Sequence, residues 1–272
     1  MVITGNKKLV AYGMICLFIL GVAGASAGQK EEDLAKKLAN PIASLVSIPF
    51  EMDYDDDINA EDSGERISMT IKPVIPFALN SEWNLISRTI IPLVSQDDIL
   101  PGSGSQSGLG DVFQSFFLSP ASPTASGIIW GVGPAVLLPT ATDDLLGSEK
   151  WALGPTGVVL MQNGAWTYGI LANHTWDVAG DDDRADINNT FLQPFASYNI
   201  PGGWTLSLQT ESTYSWETEK WTVPVNLGLA KLTRFGKLPV QLKAGLRYWA
   251  ESPDSGPEGV GFKIGIVILL PK

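Results

Sequence analysis

Twelve stretches of strand length, joined by connections that alternate between short and long, constrain this chain more than any other feature. They run over 47–55, 66–77, 83–94, 110–119, 127–139, 151–161, 166–178, 188–199, 204–216, 221–233, 239–249 and 259–270. Short connections lie at 79–82, 121–126, 162–165, 200–203 and 234–238, and longer or more acidic ones at 56–65, 95–109, 140–150, 179–187, 217–220 and 250–258. Within the stretches the side chains alternate. Trp204, Leu206, Leu208, Tyr214 and Trp216 share one parity, and Thr205, Ser207, Gln209, Glu211, Thr213 and Ser215 share the other. The same holds for Val240, Leu242, Ala244, Leu246 and Tyr248 against Gln241, Lys243, Gly245 and Arg247. A period of two describes a strand with one apolar face.

An all-β, antiparallel transmembrane β-barrel of about 12 strands accommodates this pattern, with a short N-terminal helical segment before it. Such barrels have an even strand number, short turns at one end and long loops at the other. A soluble β-sandwich has the same period, and the tryptophans separate the two. Trp83, Trp130, Trp151, Trp166, Trp176, Trp204, Trp216 and Trp221 all fall near strand ends, as two interfacial girdles require. Trp249 has the inward parity. Pro73, Pro76, Pro134, Pro155, Pro194 and Pro224 fall inside the strands. Each removes a ladder donor, so bulges or positions beyond the lipid zone are expected there.

Residues 1–27 read as a secretory signal: Lys7 and Lys8, an apolar run from Leu9 to Gly24, then Ala25-Ser26-Ala27. Cys16, the one cysteine, lies inside that run. Residues 28–46 form the N-terminal segment, with acids before lysines over Glu31 to Ala39 and Leu34, Leu38 and Ile42 on one face. It serves either as a plug or as a mobile periplasmic arm. Residues 47–272 form the barrel. Removal of 1–27 takes two lysines from the 18 basic residues and leaves 16 against 29 acidic. A surface that acidic excludes nucleic acid as a partner.

Parity points Lys72, Arg88, Glu211, Lys243, Arg247 and Lys263 into a polar lumen, where interior charges tune selectivity. Lys243, Arg247 and Lys263 make a basic ladder that favours small anions, or else Glu211 neutralises it and the network fills space. The acidic clusters Asp53 to Asp57, Asp97-Asp98, Asp143-Asp144 and Asp181 to Asp183 read as solvated outer loops. Gly102, Gly104, Gly108 and Gly110 read as flexibility in a Ser-rich loop. His174, the sole histidine, faces outward near the outer girdle, with Thr156 and Thr190 but no serine on the facing strands. No enzyme, catalytic residue, cofactor or metal site is expected from these patterns.

Several runs resemble one bacterial family: NPIASLVSIPF from Asn40, IKPVIPFALNSEWNLISRTIIPL from Ile71, GLGDVFQSFFLSPA from Gly108, Trp130 to Leu160, QPFASYNIPGGW from Gln193 and WTVP from Trp221. These are similar to the outer-membrane transporters labelled meta-pathway of phenol degradation, also carried under transporter or neuromedin U labels. The resemblance implies an outer-membrane β-barrel of a Gram-negative bacterium with a transport role and a phenolic gene context. The last residues, Leu269-Leu270-Pro271-Lys272, lack the terminal aromatic of barrel insertion signals, for which Phe262 substitutes in part. The expected function is passive uptake of small solutes, aromatic or anionic among them; the alternative is a non-transporting structural or adhesive barrel. Expected partners are outer-membrane lipid, lipopolysaccharide, the barrel-assembly machinery and a small-molecule solute.

Overall fold

Alternating strands with one apolar face must either pack in pairs or close on themselves, and this chain closes. The computed structural model describes residues 29–270; the secretory-signal reading of residues 1–27 falls outside them. One helix, α1 (Gln29–Leu38), precedes β1 (Val46–Ile58), β2 (Gly64–Ile71), β3 (Val74–Ala78), β4 (Trp83–Asp97), β5 (Ser105–Leu109), β6 (Val112–Pro120), β7 (Ile128–Leu138) and β8 (Lys150–Asn163). The chain continues through β9 (Trp166–Gly180), β10 (Asn188–Ile200), β11 (Trp204–Thr210), β12 (Ser212–Ser215), β13 (Lys220–Phe235), β14 (Leu238–Glu251) and β15 (Val260–Leu270). β2 with β3, β5 with β6, and β11 with β12 are each one barrel strand interrupted at Lys72-Pro73, Gly110-Asp111 and Glu211. The result is a closed antiparallel barrel of twelve strands. Each strand pairs with its sequence neighbours, and β15 returns to β1 with Val46 opposite Leu270 and Tyr54 opposite Phe262. The sandwich alternative is thereby excluded. No helix among the described residues is long and apolar enough to cross a membrane.

The prolines are accommodated in two ways. Pro73 lies at the β2–β3 break, and Pro224 at a register shift in the β13–β14 ladder. Pro76, Pro134, Pro155 and Pro194 lie within strands. Pro134 and Pro155 face each other across β7 and β8. On their far sides the ladders skip, between Ser115↔Ala135 and Leu118↔Val132 and between Leu153↔Trp176 and Thr156↔Asn173. Gly154 permits the close approach at the second skip, since a Cβ there would overlap the His174 carbonyl.

The exterior is apolar. Ile67, Val132, Val159, Leu206, Leu208, Leu227, Leu246 and Ile266 all stand exposed on it. An outward belt of this kind is solvated by hydrocarbon and not by water.

The interior is layered, and not uniformly polar as the barrel pattern leads one to expect. At the short-turn end Ala35 of α1 is buried against Leu232, Val267 and Leu269. Beside it, Ile42 is buried against Ile86, Phe117, Val158, Leu160 and Leu171. Acids in the first turn of α1 and lysines in its last suit the helix dipole. Asn40 ends it, accepting a hydrogen bond at Oδ1 from the Ile42 amide at 2.9 Å. Further ties are Arg234 Nε to Glu31 at 2.5 Å and Gln162 Nε2 to the Lys36 carbonyl at 2.7 Å. The segment therefore packs against the inner wall at the short-turn end.

An Ala35→Asp substitution would place an unpaired carboxylate in this apolar seat, at a cost of several kcal/mol. Limited proteolysis should then cut within 29–45 while the barrel stays protected; an uncut segment would show that apolar burial does not hold it.

Candidate functional site

Above the apolar layer, the middle of the lumen carries a dense charge network. β1 alternates Ser47, Glu51, Asp53 and Asp55 inward against Ile48, Phe50, Met52 and Tyr54 outward, and the three acids are at most 6% exposed. The sequence groups Asp53 and Asp55 with the solvated outer loops; the structure puts them on the inner wall, because the strand runs on to Ile58. Glu51 accepts from Lys72 at 2.8 Å and from Lys243 at 2.6 Å. Arg247 reaches Asp53 and Asp55, each at 3.1 Å, Asn226 Oδ1 at 3.1 Å, and Glu211 at 3.8 Å. Lys263 lies 3.4 Å from both Asp53 and Glu211, and Lys72 lies 3.7 Å from Glu211. Trp249, inward by parity, donates its indole N–H to Asp55 at 3.0 Å and lies under the Arg247 guanidinium.

Lys72 and Glu211 come from two of the three strand breaks, where the loosened ladder lets a charged residue lean into the lumen. Arg88 and Arg66 complete the inner wall. The network thus sets six bases (Arg66, Lys72, Arg88, Lys243, Arg247, Lys263) against four acids (Glu51, Asp53, Asp55, Glu211). The basic ladder is compensated by more acids than Glu211 alone. Two cavities of about 190 and 170 Å³ that share lining residues lie between this network and α1. Arg88, Gln193, Gln209, Gln241 and Lys243 line both.

At the long-loop end, the connection between β7 and β8 folds back over β4–β6. The Gln96 side chain donates to the Leu145 carbonyl at 3.1 Å. Asp111 accepts from the Ala141 amide at 3.2 Å, the Ser148 amide at 2.6 Å and the Ser148 hydroxyl at 2.7 Å. Arg184 donates to the carbonyls of Asp144 at 2.7 Å and Gly147 at 2.5 Å. Loss of solvent, with Asp144 and Asp181 nearby, holds the Glu149 carboxyl above its ordinary range against the pull of Arg184. Gly108 is not loop flexibility but part of β5, where a side chain would overlap Thr142 of the folded-back loop.

The tryptophans divide between the two ends. Trp83 and Trp130 pack edge to face at 6.0 Å, Trp166 meets Tyr198 in a tilted pair at 4.9 Å, and Lys231 lies over Trp204, all at the short-turn end. Trp151, Trp176, Trp216 and Trp221 stand exposed at the other. There His174 Nδ1 lies 2.7 Å from Thr190 Oγ1, which also accepts from Trp216 Nε1 at 2.9 Å. Thr156, read on sequence as a partner available to His174, instead faces the lumen and donates to the Ala172 carbonyl at 3.2 Å.

No protein-family model matches this chain, and no curated protein matches it in sequence. Solved structures do. An outer membrane channel from Pseudomonas putida F1 superposes with a TM-score of 0.64 at 15% identity, over 83% of this chain and 96% of that one. Outer membrane phospholipase A from Escherichia coli superposes with a TM-score of 0.51 at 14% identity, over 87% of this chain and 98% of that one. Identities this low establish the shared barrel fold. The second likeness also corrects one expectation from sequence: the same barrel architecture houses a phospholipase, so the fold gives no ground for excluding an enzyme.

Glu51→Gln should leave Lys72 and Lys243 without their shared acid and lower barrel stability by about 3–5 kcal/mol, read as a shift in the urea midpoint. An unchanged midpoint would mean that the lumen is wet enough to solvate them. Asp111→Ala removes three hydrogen bonds from the folded-back loop, each worth about 1.5–3 kcal/mol to a charged acceptor. Hydrogen exchange at Ala141 and Ser148 should accelerate at least tenfold with the strand amides unaffected.

Proposed function

We propose that the chain forms a channel in the outer membrane of a Gram-negative bacterium, passing small solutes, aromatic or anionic among them, down their gradients. The observation that carries this reading is a closed barrel with an apolar exterior around a lumen that holds charged walls and cavities. The N-terminal segment, residues 28–46, acts as a plug at the periplasmic mouth after a signal at 1–27 is removed. The Trp residues at the two ends anchor the barrel in lipid and lipopolysaccharide after insertion by the assembly machinery. Lys72, Arg88, Glu211, Lys243, Arg247 and Lys263 set solute selectivity. The phenolic context rests on the sequence resemblance alone. A non-transporting structural or adhesive barrel is the second reading, favoured by the filling of the lumen at both ends.

Planar-bilayer recordings on the refolded protein, with and without residues 28–46, separate the two. The channel reading expects steady conductance that rises on truncation. Silence in both forms, with heat-modifiable gel mobility demonstrating a folded barrel, would support the second.

A further inference from the structure

Of the six luminal bases, four are held by acids: Lys72 and Lys243 by Glu51, Arg247 by Asp53 and Asp55, and Lys263 by Asp53 and Glu211. Arg88 is not. Among the described residues it has no acid within 4.0 Å and no hydrogen-bond partner. It stands on β4 one inward position above Ile86, at the boundary between the apolar layer and the charge network. Both luminal cavities are lined by it. Around the larger one, Gln193, Gln209 and Gln241 offer neutral amides, while Leu38, Pro41 and Phe195 offer an apolar side.

A guanidinium in a lumen walled by lipid is costly to leave uncompensated, and its planar fork matches a carboxylate bidentately. One free cation, neutral amides and an apolar flank describe a ligand with a single negative charge on a small apolar body. The cavity of about 190 Å³ exceeds the roughly 150 Å³ that suffices to hold one benzene ring. We infer that the Arg88 cavity is a binding site for a small monocarboxylate of about one ring, with Arg88 clamping the carboxylate and Phe195 and Leu38 against the ring. The inference deepens the channel reading, on which it rests for how the ligand arrives. It assigns the carboxylate clamp to Arg88, and Lys243 and Lys263, which line the same cavity but are already paired with acids, shape the field around it.

The probes are benzoate and its uncharged isostere benzamide, titrated calorimetrically into the full detergent-refolded protein. Benzoate should bind at least about tenfold more tightly, the value of one charge-assisted clamp. Arg88→Gln should abolish that preference without loss of heat-modifiable mobility, because Arg88 holds no ion pair, and Arg88→Lys should retain part of it. Equal affinity for the two probes in the wild-type protein overturns the site whether or not any variant folds, as does a preference that survives Arg88→Gln. Bilayer conductance on the same preparation keeps the two claims apart. Conductance without benzoate preference overturns the site and leaves the channel; benzoate preference without conductance supports the site and overturns the channel.

Discussion

Charges enclosed by a wall that faces hydrocarbon must find partners inside it, and the rest of this structure depends on how they do so. Glu51, Asp53 and Asp55 on the first barrel strand meet Lys243 and Arg247 on β14 and Lys263 on β15, close to 200 residues further on. Those contacts exist only once β15 has paired with β1, so barrel closure and charge compensation are one event. An open sheet would leave Glu51 with Lys72 alone and would take Arg247 and Lys263 away from Asp53 and Asp55. The acids and bases also come from strands whose outward residues are Ile, Phe, Leu and Tyr, so one alternating pattern serves lipid outside and ion pairs inside.

The network does not fill the lumen. Below it the wall turns apolar, and the segment before β1 seats Ala35 and Ile42 there. Above it a loop is folded back and held by Asp111, Gln96 and Arg184. Between the network and that segment lies the space lined by Arg88, which has no acid within 4.0 Å. From the long-loop end inward, the lumen therefore holds a folded-back loop, an ionic layer, the Arg88 cavity and an apolar seat for the N-terminal segment.

Much of this was legible by counting in twos. Alternation and connection lengths specify twelve strands, and parity alone orients Lys72, Arg88, Glu211, Lys243, Arg247 and Lys263 inward. Parity on β1 would have oriented Asp53 and Asp55 as well. They were masked by lying in a run of acids through Asp57 that reads as loop composition, when the strand continues to Ile58. The apolar layer was harder to see, because Ile86, Phe117, Val158, Leu160 and Leu171 each look ordinary in strands rich in such residues. What makes them interior is the α1 segment packed against them, a contact between distant parts of the chain that no local pattern carries. The folded-back loop is hidden from local pattern for the same reason. Its latches, Asp111 and Arg184, lie on other elements, and Gly108 is small because of what lies over it.

The luminal network holds more basic than acidic charge although the chain as a whole is strongly acidic. Reversal potential of a single barrel under a potassium chloride gradient tests this most directly. The six bases against four acids of the luminal network require the potential to shift toward the chloride value. A shift toward the potassium value would mean that the acidic outer loops govern permeation, and it would contradict the account.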